Sequence, residues 1–368
     1  MRYSSAMANS VKTVRKARIT SPARAQRPRG AVRTDRAASP SARAAAPVDR
    51  TPLRVDRGPI PTATGIAHQL GWLEREAALD GTPLVVAGAG GADHLWEGAS
   101  TRALWERGEG RETRLIGLTW IETFQAVVAL PGAGIAGPEQ LAGRRLALPF
   151  DATAEVDERR AAASRGLHAA LGLAGIFPGE VAHLDVDASL AIGGPYGAEL
   201  AALASGEVDA IFLAGAAGAA AAARVGASTV VDVGRHLDPA VRTGATTPAA
   251  IVADAELLER EPNLVVRLLA VLLRAGAWAQ LNARQASELL ALETGVTTRD
   301  VLAAHGRNWP DQLHVDLSWR KRDALRAQHD FLLTHGFLAR SVDLAAWVDP
   351  RPLGAARELL AAERVAWT

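Results

Sequence analysis

Between Arg57 and Ala67 the chain reads Arg-Gly-Pro-Ile-Pro-Thr-Ala-Thr-Gly-Ile-Ala, a run whose residue types suit a binding loop. Pro59 and Pro61 stiffen the backbone, Gly58 lets another group approach closely, and Thr62 or Thr64 offers a hydroxyl at a helix start, where free N–H groups attract anionic oxygens. The same residues also fit a plain helix-entry loop with a capping threonine. His94 and Trp96, in Asp93-His94-Leu95-Trp96-Glu97-Gly98, supply an imidazole and an indole donor. Trp120 fits a pocket wall or a core position. Asp151 and Thr153 could orient a polar ligand or cap the next helix, and Gly194 sits in a glycine pair ahead of a helix.

Other chemistry is excluded by what those residues lack. The 368 residues contain no cysteine, which removes thiol nucleophiles, disulfides and thiolate metal sites. No Lys-Ser/Thr follows Gly193-Gly194, and Gly88-Ala89-Gly90-Gly91 lacks the dinucleotide-loop spacing. Neither His-Glu-x-x-His nor Gly-x-Ser-x-Gly occurs, and His305, His314, His329 and His335 show no ligand spacing. No cofactor and no metal are expected. Arg320-Lys321-Arg322 reads as a solvated charged face.

The elements that must position these residues alternate. From Leu53 onward short β-branched runs alternate with helical patterns, so the fold class is α/β. Apolar spacing predicts a helix over 62–79, strands at 83–87 and 113–120, and a buried apolar run at 124–130. A strand near 144–149, a helix over 155–173, a strand over 181–186, a helix over 195–205 and a strand over 208–212 follow, then a helix at 215–225 and strands at 229–233 and 249–253. The last third is helical, beginning behind Pro262.

Charge is divided unevenly. Residues 1–50 hold 12 Lys/Arg against 2 Asp/Glu, and the remainder holds 29 against 38. The Ala/Arg/Pro/Ser-rich leader 1–50 has too little apolar surface to order itself, so disorder is expected. An acidic body offers no stripe for nucleic acid. The leader has no uninterrupted apolar run of a secretory signal, so the compartment stays open: cytoplasmic as written, extracytoplasmic if the start lies elsewhere. No membrane span is expected, since no stretch approaches the roughly 18 apolar residues required.

Three stretches, 57–67, 112–149 and 204–213 (Ala204-Ser-Gly-Glu-Val-Asp-Ala-Ile-Phe), resemble the hydroxybiphenyl sulfinate desulfinases and their relatives among nitrate/sulfonate/taurine-type substrate-binding proteins of ABC transporters. The likeness covers roughly 52–365. It implies a two-lobed, type II periplasmic-binding fold with a helical C-terminal third, lobe one from 51–130 plus 240–368 and lobe two from 131–239. It also implies a ligand between the lobes, and the candidates at the strand ends to hold it are Gly58, Thr62, His94, Trp96, Trp120, Asp151, Thr153 and Gly194. In the desulfinases the residue before this Pro-x-Pro is the catalytic cysteine, and here it is Gly58. The segment with their functional histidine and Arg-x-Gly-Gly motif keeps His94, but Trp96 falls in the arginine's place and Gly98-Ala99 in that of the glycine pair. The resemblance therefore implies a binder of a small organic anion (sulfonate, sulfinate or carboxylate), with an ABC permease as partner. A desulfinase-like enzyme with an atypical site is the alternative, and a biosynthetic or sensory reuse of the fold is a third reading without a supporting motif.

Overall fold

The computed structural model describes residues 52–58, 60–87, 95–190, 192–244 and 246–366. The leader, Pro59, the Gly88–Gly91 turn and His94 lie outside the described residues.

Among the described residues ten strands form a five-stranded sheet, a three-stranded sheet and a strand pair, the last two joined by one bridge into a second sheet. The first contains β1 (Leu53–Arg57), β2 (Leu84–Ala87), β3 (Leu95–Ala99), β4 (Thr113–Thr119) and β10 (Ala249–Asp254), in the order β2-β1-β3-β10-β4. β2, β1 and β3 are parallel, and β10 runs against both β3 and β4. The second holds β5 (Gln125–Ala129), β6 (Arg145–Phe150), β7 (Ala182–Asp187), β8 (Ile211–Ala214) and β9 (Ser228–Asp232). β5 pairs antiparallel with β8 and β9, and β6 pairs parallel with β7. A parallel bridge between Leu146 and Ala210, with the Ala147 N–H donating to the Ala210 carbonyl at 3.1 Å, joins β6 to the start of β8. The order β7-β6-β8-β5-β9 then repeats the pattern of the first sheet.

That topology brings two sets of strand ends together. In the first sheet β1, β3 and β4 all end at one edge, and in the second β6, β7, β8 and β9 do. Residues 120–124 connect the end of β4 to the beginning of β5, and 233–248 connect the end of β9 to the beginning of β10. Both crossings therefore join carboxyl edge to carboxyl edge. In open α/β folds those edges are where ligands bind.

The 124–130 run is β5, buried throughout and paired inside the second sheet. The chain thus crosses before Gln125 rather than after Leu130. Helix 62–79 is interrupted as well: it divides into Ala63–Gln69 and Trp72–Ala78 at Gly71, whose φ of 66° suits glycine. Strand β3 was not foreseen.

The absence of any span-length apolar segment also needs correcting, because the helix Pro262–Leu281, with a mean hydropathy of 1.6, is long and apolar enough to cross a membrane. Its apolar side is instead the centre of the first core: Leu264, Val265, Leu268, Leu269 and Leu272 pack with Leu53, Val55, Ile66, Leu73 and Ile116. Arg267, on the same helix, pairs with Glu76 at 2.8 Å. Leu268 is fully buried, so Leu268→Ala should cost about 2–5 kcal/mol through lost transfer energy and the cavity left behind. Urea denaturation checks this, and a loss below about 1 kcal/mol would mean the helix is not packed as described.

Candidate ligand site between the two sheets

At the end of β1 the backbone lies hard against β3. The Gly58 N–H donates to the Glu97 carbonyl at 2.9 Å. A Cβ placed on Gly58 would sit 3.3 Å from the Gly98 Cα, tight but open to a small adjustment. Thr62, buried, is the N-cap of the helix Ala63–Gln69, its Oγ1 accepting from the Gly65 N–H at 2.8 Å. The next donors of that helix are also occupied. Glu97 comes across from β3 and its carboxylate accepts from the Thr64 N–H at 2.8 Å and the Ala63 N–H at 3.4 Å. Burial pushes the Glu97 carboxyl up, while the hydrogen bonds from Thr64 and Ala63 pull it back. Arg57 forms an ion pair with Glu293 from the helix Ala283–Thr294.

Several buried polar atoms in the same region have no hydrogen-bond partner: Asp56 Oδ2 at the end of β1, Thr119 Oγ1 at the end of β4, and Thr123 Oγ1 in the crossing. Buried polar atoms are normally paired, and unpaired ones point to a functional demand or to a missing partner.

Trp96 is placed in the core rather than against open space. It is 6% exposed and clusters with Ala103, Leu104, Leu118 and Leu325, its ring lying where a Cβ on Gly98 would otherwise stand. Trp120 is half-buried in the first crossing, with the Arg242 guanidinium 5.9 Å from its ring centre and Arg242 itself paired with Glu122.

On the second sheet, Asp151 and Thr153 bond to each other: Asp151 Oδ1 accepts from the Thr153 N–H at 2.9 Å and hydroxyl at 2.6 Å. The Thr153 hydrogen bonds hold the Asp151 carboxyl below its usual range. The cap of the helix Glu158–Leu173 is Asp157, accepting from the Arg160 N–H at 2.8 Å. Gly194 is exposed at a φ of 79°, in the turn that leads through Tyr196 into the helix Gly197–Ser205. Gly58, Thr62 and Trp120 thus sit at the carboxyl edge of the first sheet, and Asp151, Thr153 and Gly194 in loops at that of the second.

The sequence reading passed over the charged groups between the sheets. Glu158, half-buried, has its carboxyl pushed up to about 7, first by burial and then by Glu106, Asp157 and Asp56, against the pull of Arg102. Arg102 Nε donates to Glu106 at 2.9 Å. Behind Glu158, Arg159 pairs at 2.7 Å with the buried Glu199 and lies 4.9 Å from the Tyr196 ring centre. Tyr196 in turn donates its hydroxyl to the Ala214 carbonyl at 2.9 Å. Among the described residues no group of three or more His, Cys, Asp or Glu could hold a metal ion.

The folded protein retains a proton on Glu158 that the unfolded chain gives up near pH 4.5, so this group's stabilisation falls as pH rises from 4.5 to about 7. Glu158→Gln should remove that fall, leaving the variant more stable than the parent at pH 8 by on the order of 2 kcal/mol. Parallel stability curves for variant and parent would refute this. A second expectation concerns Glu97: Glu97→Ala leaves two helix donors unpaired and should cost about 1–3 kcal/mol, while Glu97→Gln, which retains one acceptor, should cost less in the same denaturation measurement.

No family model matches the chain. Among curated proteins it is similar to the 2'-hydroxybiphenyl-2-sulfinate desulfinases of Rhodococcus erythropolis and Rhodococcus qingshengii, 30% identical over 152 residues. That stretch is 41% of this chain and 40% of theirs, so the match spans about two fifths of the curated relatives' length. Solved structures agree over more of the chain. The desulfurization enzyme DSZB superposes with a TM-score of 0.65 at 22% identity, covering 83% of this chain and 99% of its own. The periplasmic aliphatic sulphonate binding protein SsuA of Escherichia coli superposes with a TM-score of 0.64 at 15% identity, covering 81% and 91%. The fold is therefore the two-lobed, type II periplasmic-binding fold.

Proposed function

We propose that the protein is a substrate-binding protein that holds a small organic anion, a sulfonate, sulfinate or carboxylate, between its lobes and delivers it to an ABC-type importer. The observation that carries this reading is Gly58: the scaffold similar to DSZB and SsuA has at this position a residue with no side chain, packed against Gly98, and so no thiolate for carbon–sulfur cleavage. The unpaired hydroxyls of Thr119 at the first carboxyl edge and Thr123 in the adjoining crossing give a ligand's oxygen atoms hydrogen-bond donors. Since Glu97 already fills the acceptor place at the Ala63 and Thr64 N–H groups, those hydroxyls rather than the helix donors would meet the anion. The lobes would close over it about the crossings at 120–124 and 233–248. The proposed site set remains Gly58, Thr62, His94, Trp96, Trp120, Asp151, Thr153 and Gly194, with Trp96 supporting the site from the core side.

A thermal-shift screen against sulfonates, sulfinates and carboxylates tests this reading. A ligand at 100 times its Kd should add about 2.7 kcal/mol to stability and raise the melting temperature accordingly. No shift with any of the three classes would overturn it.

The 30% identity to the desulfinases favours a second reading, an enzyme that cleaves the C–S bond of an aromatic sulfinate by another route. Incubating the purified protein with such a sulfinate distinguishes the two. The binder reading expects no sulfite from the unmodified chain. Gly58→Cys, for which a small backbone adjustment makes room, reports whether the rest of the site still supports the reaction.

A further inference from the structure

The helix Glu158–Leu173 belongs to the second lobe, where Ala163, Leu167, Ala170 and Leu171 pack with Val127, Leu146 and Phe212. Its other side reaches the first lobe at successive turns. Ala161 joins the cluster of Trp96, Leu104 and Phe331. The Arg165 guanidinium lies 4.9 Å from the ring centre of Phe331, on the helix Trp319–Thr334 of the first lobe. One turn further, the His168 imidazole stands edge-on to Phe331 at 5.5 Å and to His335 at 4.4 Å, while the Phe331 and His335 rings are 4.2 Å apart. No hinge motion can separate the lobes while these rings remain in contact.

The chemistry of this contact depends on protons. His168 Nδ1 is 2.8 Å from the Ser164 carbonyl, which only accepts, so Nδ1 carries the hydrogen and a neutral ring leaves Nε2 bare. The next proton makes an imidazolium beside groups that are already positive or become so. Arg165 is permanently charged and also donates from Nε to the Thr243 carbonyl at 3.3 Å. Burial, His168 and Arg165 together push His335 below its usual range. His183 on β7 is lowered by burial, His168 and Arg160, and the one opposing group is Asp185, paired with Arg160 at 2.8 Å. Three turns toward the helix start, Glu158 lies among Arg102, Glu106, Asp157 and Asp56 and titrates in the opposite sense.

We propose that Arg165, His168, Phe331 and His335 form an acid-released latch that holds the two lobes closed. With both imidazoles neutral, the rings stack and Arg165 sits over Phe331, a cation–π arrangement. In the closed form His335 is held below its usual range by burial, His168 and Arg165, and in the open form it regains solvent, so the open form binds more protons. Closure is therefore favoured at neutral pH and above, and is lost as pH falls below about 6.5. This rests on the two-lobed fold and is independent of which ligand occupies the cleft.

The absence of cysteine allows a direct test on the full chain. Ala78→Cys at the end of the helix Trp72–Ala78 and Ala201→Cys in the helix Gly197–Ser205, both exposed, place one spin label on each lobe. Pulsed dipolar spectroscopy without ligand should show a longer inter-label distance growing in as pH falls from 8 to 5, with the open-to-closed ratio rising about tenfold or more. His335→Phe retains a ring beside His168 but takes no proton, and should reduce that rise at least about threefold. Repeating the series with Glu158→Gln removes the carboxylate that works in the opposite direction, and the opening should persist. Constant distances across the range in the labelled parent would overturn the latch, as would an opening in His335→Phe identical to the parent's. Circular dichroism confirms that the variants are folded, and His335→Gln, which is also uncharged, replaces His335→Phe if that variant is not.

Discussion

Strand β10 runs against its neighbours, and that single reversal fixes where a ligand can be. Because β10 enters at the edge where β3 and β4 leave, the chain has to return from the second lobe to the very edge from which it departed. Strand β5 plays the same part in the second sheet, entering where β8 and β9 end. Two short crossings then tie one carboxyl edge to the other. The loops that carry Gly58, Trp120, Asp151 and Gly194 are far apart in sequence but follow strands that share those edges, and the cores behind each sheet make the arrangement rigid.

Electrostatics at the edges is more internal than the anion reading alone would suggest. A helix start is favourable for an oxyanion because its first N–H groups are unpaired, yet here Thr62 takes the Gly65 N–H and Glu97 takes those of Ala63 and Thr64. Glu97 is costly to bury and is stabilised by those donors, so carboxylate and helix satisfy one another. What is left over is hydroxyls and one buried carboxylate oxygen, Asp56 Oδ2. On the other side, the Glu158 carboxyl is raised by burial and by the charge of Glu106, against the pull of Arg102, both from the helix Ser100–Gly108 that follows β3.

Much of the fold was legible in the residues because most strands here are short apolar runs buried on both faces, and the helices between them have clean apolar spacing. Strand β3 was hidden for a physical reason: Leu95-Trp96-Glu97-Gly98-Ala99 contains a carboxylate and a glycine, and reads as a strand only once Glu97 is known to be neutralised by a helix and Gly98 to be covered by the Trp96 ring. The helix Pro262–Leu281 could not be recognised as span-like by counting uninterrupted apolar residues, since Arg267 and Arg274 interrupt it while leaving its average hydropathy high. At the site, hydroxyls and glycines were visible as residue types, but the surroundings of Glu158 and the contacts of Arg165 and His168 with Phe331 depend on which helices meet, which local spacing does not encode.

Gly58 connects these observations. A side chain at this position would stand between β1 and β3 at the point where the helix Ala63–Gln69 begins, close to Gly98 and Ala99. Without one, the two strands close up and the Gly58 N–H reaches the Glu97 carbonyl. Glu97 is thereby held at the height where its carboxylate meets the Ala63 and Thr64 N–H groups. Gly58 is thus also the residue that lets a buried carboxylate complete the helix start.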